Sequence, residues 1–424
     1  MDTIFALSSG TPPAGIAVVR ISGPDARAAL VALARKLPAP RRATRAAFRE
    51  ADGGLLDKGL ALWLPGPCTA TGEDLAELHL HGGRAVVAAV EAALAAIPGL
   101  RRAEPGEFTR RAFAHGRIDL AEAEGLADLL TAETEVQRRA ALELAGGALS
   151  RRVEGWRDRL LALSGQLEAV LDFADEGDVA TLPASFGREI GILAGEIALA
   201  LEAPAAELLR EGYRVALAGP PNAGKSTLFN ALVDSEAAIT APMAGTTRDV
   251  LVRPVALRGM PFSFVDMAGL REFGSDPVEA IGIERAQAEI GRADLVLWLG
   301  PEGQGPAGAW EIDPQCDRDD RVVKASPRYR VSAMTGESVS ELKRGLIAEA
   351  AQAMPRPGQT ALNRRQRHLL EEARDALLVA ARQADPLLLA EGLRQSRLSF
   401  DRLAGRSATE DVLDALFGRF CIGK

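Results

Sequence analysis

Gly219-Pro-Pro-Asn-Ala-Gly-Lys225-Ser226 decides the fold of the middle of this chain. The stretch matches G-x-x-x-x-G-K-[ST]. It lies between Tyr213-Arg-Val-Ala-Leu-Ala218, which predicts a strand, and Thr227-Leu-Phe-Asn-Ala-Leu232, which predicts a helix. These residue types suit a polyphosphate. Glycines let backbone N–H groups approach it, the helix N-terminus adds positive potential, Lys225 neutralises the β- and γ-oxygens, and the Ser226 hydroxyl is a hard ligand for Mg²⁺. A chance glycine-rich turn would lack the strand before it and the helix after it.

Two further segments follow in the order of a switch GTPase. Gly245-Thr-Thr-Arg-Asp249 offers the Thr247 hydroxyl to complete the Mg²⁺ shell. Asp266-Met-Ala-Gly269 follows the apolar run Phe262-Ser-Phe-Val265; there Asp266 can hold Mg²⁺ through water and Gly269 can donate its N–H to a γ-phosphate. Asp294-Leu-Val-Leu-Trp-Leu299 predicts the next strand. Ser332-Ala-Met334, after Tyr329-Arg-Val331, fits a loop whose backbone touches a guanine. The expected guanine discriminator, Asn-Lys-x-Asp, is missing: no Asn occurs between Asn230 and Asn363, and the nearest relic is Val323-Lys-Ala-Ser326. Losing that carboxylate removes a hydrogen-bond contact of the kind that gives large selectivity ratios, unless Asp313 or Asp317 of Trp310-Glu-Ile-Asp-Pro-Gln-Cys-Asp317 replaces it. Leu270 follows the switch glycine, so no side chain there can orient the attacking water as a Gln does in Ras-like enzymes. Asn222 has a side-chain carbonyl that could bind a monovalent cation beside the phosphates; it is equally a turn-forming Asn.

Outward from this α/β stretch, which runs from Glu211 to about Ala353, the pattern changes on both sides. Up to about residue 115, strand-type runs (Gly15 to Ile21, Gly59 to Leu64) alternate with helical ones (Val86 to Ile97), predicting a compact α+β domain. From Leu120 the strand signals stop. Leu149, Val153, Trp156, Leu160, Leu163, Leu167 and Val170 recur at spacings of four and three, lining one face of a long helix as in a bundle. After the linker Pro355-Arg-Pro-Gly358 the chain turns helical again, with Ser407-Ala-Thr-Glu410 offering a capping box to a last helix over Asp411 to Phe417. A helical region that is interrupted and then resumed implies a discontinuous all-α domain with an α/β guest.

Composition narrows the function classes. The 424 residues suffice for two to four domains, and 47% are hydrophobic. Cys68, Cys316 and Cys421 are few and far apart, so neither a disulfide framework nor a C-x-x-C metal knuckle is expected. No stretch of about 18 uncharged apolar residues or secretory n-region is present, which predicts a cytoplasmic chain without a membrane span. With 50 Lys+Arg against 58 Asp+Glu, a net charge of −8 and 4% aromatics, the chain does not read as a stand-alone nucleic-acid binder.

Beyond the phosphate motifs, an ordered set of segments resembles the tRNA uridine-modification GTPases of the MnmE/TrmE family. It comprises Asp2-Thr-Ile, Thr11-Pro-Pro, Val18-Val-Arg-Ile-Ser-Gly23, Pro65-Gly-Pro, Thr71-Gly-Glu-Asp74, Glu77-Leu-His-Leu-His-Gly-Gly83, Pro105 to Phe113, Ile118 to Glu124 and the terminal Phe420-Cys-Ile-Gly-Lys424. The resemblance implies an α+β N-terminal domain (1–117) that binds tetrahydrofolate and dimerises, a discontinuous helical domain (118–210 and 356–424) and an inserted Ras-like P-loop GTPase domain (211–355). It places 5-formyl- or 5,10-methylene-tetrahydrofolate at Arg20, Glu77, Arg117 and Lys424, with Cys421 close by as a catalytic candidate. A pterin has donors for a carboxylate, and its glutamate tail is an anion for Arg or Lys.

In the nucleotide site the resemblance assigns Asn222, Ala223, Gly224, Lys225, Ser226, Thr227, Ala241, Pro242, Met243, Ala244, Gly245, Thr246, Thr247, Asp266, Met267, Ala268, Gly269, Ser332, Ala333 and Met334 to GTP. Mg²⁺ falls to Ser226 and Thr247, K⁺ to Asn222, Ala241, Met243 and Thr246, and water positioning to Glu279. The implied activity is that of a homodimeric, K⁺-stimulated GTPase. With an FAD-dependent partner, in a heterotetramer, it adds a (carboxymethyl)aminomethyl group at C5 of the wobble uridine of certain tRNAs, the tRNA being held mainly by the complex. Three features depart from the family pattern: the lost guanine motif, Asp-Met-Ala-Gly for Asp-Thr-Ala-Gly, and a shortened glycine run after Thr11-Pro-Pro. Two rival readings are a folate-holding scaffold for the flavoprotein and a ribosome-assembly GTPase.

Overall fold

The computed structural model describes residues 2–172, 182–233, 251–267, 287–318, 323–356 and 359–424. These form two compact units, 1–127 with 400–424, and 128–399.

The first unit is built on a six-stranded sheet of β1 (Thr3–Leu7), β2 (Ala14–Ser22), β3 (Thr44–Arg49), β4 (Leu55–Leu64), β5 (Leu75–Gly82) and β6 (Leu100–Arg102), in the order β3-β4-β5-β2-β1-β6. All pairs are antiparallel except β1 with β6. Alternation along β2 sends Ala17, Val19 and Ile21 to a core shared with Phe5, Phe48 and Leu78. The helices α1 (Ala26–Ala34) and α2 (Arg84–Ala95) cover it with Leu30, Val90 and Leu94. A second cluster joins Ile4, Ala6 and Ala103 to Phe108 of α3 (Glu107–Ala114).

The C-terminal helix of the chain also belongs to this unit. Leu413, Leu416, Phe417 and Phe420 pack on Leu120 and Ala123. That helix spans Glu410–Phe417 with Thr409 as its N-cap and no side-chain cap hydrogen bond. The capping box expected at Ser407 is therefore absent, and the helix starts at Glu410, one residue before the expected Asp411.

The second unit is helical at both sequence ends. Its first part holds α5 (Glu135–Ala145), α6 (Ala148–Asp172), α7 (Phe186–Leu201) and α8 (Ala206–Glu211), after α4 (Leu120–Thr131). The 3–4 spacing delivers the expected seam up to Leu167: Leu149, Val153, Trp156, Leu160, Leu163 and Leu167 are buried on α6, while Val170 is only half-buried. Then come β7 (Tyr213–Ala218), α9 (Lys225–Val233), β8 (Leu251–Leu257), β9 (Met260–Asp266), β10 (Leu295–Trp298), β11 (Trp310–Asp313), β12 (Tyr329–Arg330) and α10 (Val339–Ala353). Helices α11 (Arg364–Ala380) and α12 (Pro386–Ala404) precede the final helix, α13. Helix α11 packs against α7, and Arg367 donates to the carbonyls of Leu201 and Ala203 just beyond that helix. Reciprocal capping boxes start α5 (Thr134 with Gln137) and α11 (Asn363 with Gln366).

The second sheet has the order β12-β11-β10-β7-β9-β8, with every pair parallel except β8 on β9. Its central strands are apolar on both faces because both are covered. Val215, Leu217, Phe262, Phe264 and Leu297 pack with Leu228 and Phe229 of α9 and Leu342 and Leu346 of α10, while Ala216, Val265 and Val296 face the other way. In such a sheet the carboxyl ends of the parallel strands form one edge, where ligands bind.

Candidate nucleotide-binding site

At that edge β7 gives way to the loop Gly219–Gly224 and then to α9. Gly219 stands at φ +149, and a Cβ there would meet the Gly300 nitrogen at 3.0 Å and the Leu299 carbonyl carbon at 3.1 Å, so the loop passes too close to the end of β10 for a side chain. Asn222 (φ 62) and Gly224 (φ +83) take left-handed conformations, a region in which Asn and Gly are the favoured residues. This backbone folds into a concave row of donors. Among the described residues, the N–H groups of Asn222, Gly224, Ser226 and Thr227 have no acceptor in the protein. Lys225 is 6% exposed, and its ammonium donates to the carbonyls of Gly219 (3.1 Å) and Pro220 (2.8 Å), which holds it over the loop. Unpaired N–H groups at a helix start, with a fixed ammonium, make an anion site.

Asp266 ends β9 in register with Leu217 of β7, so its carboxylate, 8% exposed, lies on the strand beside the phosphate loop. Ser226 is exposed in the first turn of α9. Met267 is different: its side chain is buried with Ala216, Ala218, Val265 and Val296, so the methionine that departs from the family pattern fills the sheet's core. Beyond the phosphate loop, a cavity of about 230 Å³ opens between Gly224 and Thr227 on one side and Gln315, Asp317, Ala333 and Met334 on the other. Ser332 is fully buried and its hydroxyl accepts from the Thr335 N–H at 3.1 Å, which shapes the Ser-Ala-Met turn.

The expected relic of the guanine motif is not here. Val323-Lys-Ala-Ser326 comes after β11 and its loop; Lys324 is buried against the Trp298 carbonyl and Glu311, and Glu302 accepts from the Ala325 and Ser326 N–H groups. That segment is a structural cross-link. The loop that reaches the cavity is Pro314–Arg318, after the short strand β11. Of the other expected nucleotide and cation residues, Ala241, Pro242, Met243, Ala244, Gly245, Thr246, Thr247, Ala268, Gly269 and Glu279 lie outside the described residues.

The first unit gathers a second set. Arg20 and Glu77 are register partners on β2 and β5; Nε and Nη2 of Arg20 donate to one Glu77 oxygen at 3.1 and 2.9 Å, with the guanidinium 5.9 Å from the centre of the Phe108 ring. The C-terminal tail reaches the same sheet. Ile422 bridges Pro105, and Gly423 (φ +95) lies so close to β1 that a Cβ would meet the Leu7 carbonyl oxygen at 2.1 Å. Cys421 is exposed, Lys424 ends this tail, and Arg117 lies against Gly72. Thr71-Gly-Glu-Asp74 is a braced turn. Thr71 bonds the buried Ser22 hydroxyl at 2.7 Å, Glu73 accepts from Ser22 and Arg111, and Asp74 accepts from the Gly66 N–H.

Charge fixes the neighbouring α3. The bond from Arg101 holds Asp2 below the usual aspartate range, against burial and with help from Arg111. Burial pushes Glu107 up, but bonds from Arg101, the Glu104 N–H and Arg111 outweigh it and hold it below the usual range.

Comparison with known proteins closes the argument. A family model described as the MnmE helical domain matches residues 120–421, and one described as the GTP-binding protein TrmE N-terminus matches residues 3–117. The chain belongs to the MnmE family. It is 61% identical over 424 residues to the tRNA modification GTPase MnmE of Erythrobacter litoralis, and 60% identical over 435 residues to that of Novosphingobium aromaticivorans, each covering 100% of both chains. The G domain of the T. maritima FeoB iron transporter matches 32% of this chain and 98% of its own at 25% identity, with a TM-score of 0.23. Membership of the MnmE family makes the chain a GTP hydrolase in tRNA modification. No described helix is long and apolar enough to cross a membrane.

Proposed function

We propose that this chain is a potassium-stimulated GTPase. With an FAD-dependent partner subunit it adds a (carboxymethyl)aminomethyl group at C5 of the wobble uridine of certain tRNAs, drawing the one-carbon unit from a tetrahydrofolate. The observation that carries the nucleotide half is the set of N–H donors of Asn222, Gly224, Ser226 and Thr227, which have no acceptor among the described residues, beside a fixed Lys225. A triphosphate is the anion long enough to use the whole row and still reach Asp266 on the neighbouring strand.

The residues present fit the implied groups. The Ser226 hydroxyl and the Asp266 carboxylate are hard oxygen donors at one edge, suited to Mg²⁺, with Thr247 as the further ligand. Asn222 at φ 62 stands on the turn of the phosphate loop, where a side-chain carbonyl oxygen suits K⁺; Ala241, Met243 and Thr246 would be the further ligands. Bound there, the cations neutralise charge that develops on the phosphate oxygens. Glu279 positions the attacking water. In the first unit, the Glu77 carboxylate fits pterin N–H groups with Arg20 bonded to it at that same end, Arg117 and Lys424 fit the anionic glutamate tail, and Cys421 precedes Lys424 by three residues on the docked tail.

The domains are 1–117 for folate and dimerisation, 118–210 with 356–424 as one helical domain, and 211–355 as the inserted GTPase. Packing of α7 on α11, across the length of the guest, supports the insertion. Hydrolysis drives opening and closing of paired GTPase domains in a cytoplasmic homodimer, and tRNA is held mainly by the complex with the flavoprotein. Turnover of GTP in K⁺ against Na⁺, for the wild type and Glu279→Ala, tests the reading. Rapid turnover that needs K⁺ and is lost in the variant is expected; equal, negligible turnover in both salts would leave a folate-holding scaffold instead.

A further inference from the structure

We propose that a cationic surface at the edge of the first sheet, made by Arg35, Lys36, Arg41, Arg42, Arg45 and Arg49, is this chain's own contact with the phosphate backbone of tRNA. The proposal rests on the tRNA-modification reading and adds a site to it.

The sequence concentrates positive charge here against its overall sign. Residues 26–49 hold seven cations, the six above and Arg27, and no Asp or Glu, in a chain whose net charge is −8. They lie along α1, the loop that follows it and β3, which is the edge strand of the sheet and pairs with β4. All are exposed except Arg49, which is half-buried. Protection of an edge against strand pairing accounts for Arg45 and Arg49. It does not account for Arg35, Lys36, Arg41 and Arg42, which lie off the strand.

These cations also lack counter-charge. Among the described residues none of the seven is paired with a carboxylate, whereas Arg101, Arg102, Arg110 and Arg111 of the same unit pair with Asp2, Glu91, Asp414 and Glu73. Two of the seven are held by carbonyls instead. Nη2 of Arg35 donates to the Glu50 carbonyl at 2.6 Å, bridging the end of α1 to the β3–β4 hairpin, and Nη2 of Arg41 donates to the Cys68 carbonyl at 2.5 Å. A carbonyl fixes a guanidinium without neutralising it, so less side-chain freedom is lost when a phosphate takes the remaining N–H groups. Both residues stand in the left-handed region, at φ 60 and 59, where Gly or Asn is favoured. The backbone does not ask for arginine at either position.

The occupant follows from the chemistry of the surface. Six of the seven cations are arginines, whose fork of donors suits phosphate oxygens. Strand β3 spans roughly 17 Å at about 3.4 Å per residue, a length over which a nucleic-acid backbone offers several phosphates. An acidic protein would need an apolar anchor within the patch. The exposed uncharged residues between Arg35 and Arg45 are Ala39, Pro40, Ala43 and Thr44, which are too small to be one. A second copy meeting this face through a two-fold axis would set like charge against like. Phosphate contacts position a nucleic acid without reading its sequence, so this surface orients the tRNA and leaves its recognition to the complex.

The test is equilibrium binding of an unmodified tRNA transcript to the full chain, alone and with its flavoprotein partner, as salt is raised from about 50 to 200 mM. Lys36→Gln/Arg42→Gln/Arg45→Gln removes three cations whose side chains make no hydrogen bond among the described residues. For this variant the affinity of the chain alone should fall by about 10–100-fold near 100 mM salt, and the slope of log K against log salt should become shallower by about 2–3. Arg138→Gln/Arg139→Gln/Arg394→Gln removes the same charge from arginines already paired with Glu135 and Glu391, and should keep the wild-type slope. GTP turnover, unchanged in both variants, verifies folding. The proposal is overturned if the first variant keeps the wild-type affinity and slope, or if both variants lose affinity equally, which would make net charge and not this surface the cause. Loss of flavoprotein binding with the tRNA slope intact would overturn it in favour of an acidic protein partner. If the wild type binds no tRNA either alone or with the partner, the tRNA-modification reading itself fails and the proposal with it.

Discussion

In the sheet of β7–β12 the candidate site is made mostly by backbone. Four N–H groups of the loop and the first turn of α9 have no acceptor among the described residues, and the ammonium of Lys225 is tied to loop carbonyls. In the sheet of β1–β6 the candidate site is made by side chains far apart in sequence: Arg20 is bonded to Glu77, and the tail that ends in Lys424 docks beside Leu7. The first arrangement is a preformed receptor waiting for an anion. In the second, Arg20 and Glu77 already satisfy each other, so a ligand that takes either must exchange an existing bond for a new one and gains only the difference.

The contrast is most directly broken at Lys225. Lys225→Ala removes the fixed charge but leaves the N–H row, and GTP turnover should fall by about 100-fold or more, the scale of losing one electrostatic contact to a reacting group. Steady-state hydrolysis with a circular-dichroism check on folding measures this. Near-normal turnover would show that the backbone row alone carries the phosphates.

The same contrast explains what could be read from the sequence. The phosphate loop was legible in full because its chemistry is backbone geometry, and Gly219, Gly224 and Asn222 are the residue types that geometry needs. The strands β7 and β9 were legible because burial on both faces makes them apolar runs. Strand β11 gave no such signal: it is four residues long, carries Glu311 and ends in Asp313 before a proline. Strand β8 contains Pro254, tolerable because among the described strands it is at the edge, pairing with β9. In the first unit, no spacing links Arg20, Glu77 and Lys424. Resemblance named them together, and register and tail docking bring Arg20, Glu77 and the tail to one sheet.

A smaller effect sharpens the comparison from the other side. Glu77→Gln keeps the shape of the β2–β5 pair but removes the charge that holds Arg20, whose partner is only 16% exposed. Affinity for 5-formyl-tetrahydrofolate, measured by equilibrium dialysis, should drop by about 10–100-fold, the worth of a charge-assisted hydrogen bond. GTP turnover should stay unchanged, because the nucleotide residues lie in the other unit. Unchanged folate affinity would remove Glu77 from the site, and parallel loss of GTP turnover would remove the independence of the two sites.

The smallest effect concerns acid. Asp2 is held below its ordinary value of 3.8 by its bond from Arg101, and Glu107 is held below 4.5 by bonds that outweigh its burial. A carboxyl whose value is lowered on folding stabilises the fold fully above its unfolded value, and that contribution disappears as pH falls through the folded one. Between pH 7 and pH 5 these groups should therefore leave the first unit unaffected, and below about pH 4 its β1–β6 edge should loosen. Asp2 and Arg101 are both more than two-fifths exposed, so solvent screening limits the Asp2→Asn effect at pH 7 to about 0.2–1 kcal/mol. Hydrogen exchange of the peptide spanning residues 3–7 reads it, since the Thr3 N–H donates to the Gly99 carbonyl across that edge. The variant should exchange faster than the wild type at pH 7, after correction for intrinsic rates, and the difference should shrink toward pH 3. A difference that grows in acid would mean that the Arg101 bond does not secure this edge, and that Arg111 and Glu107 hold it without Asp2.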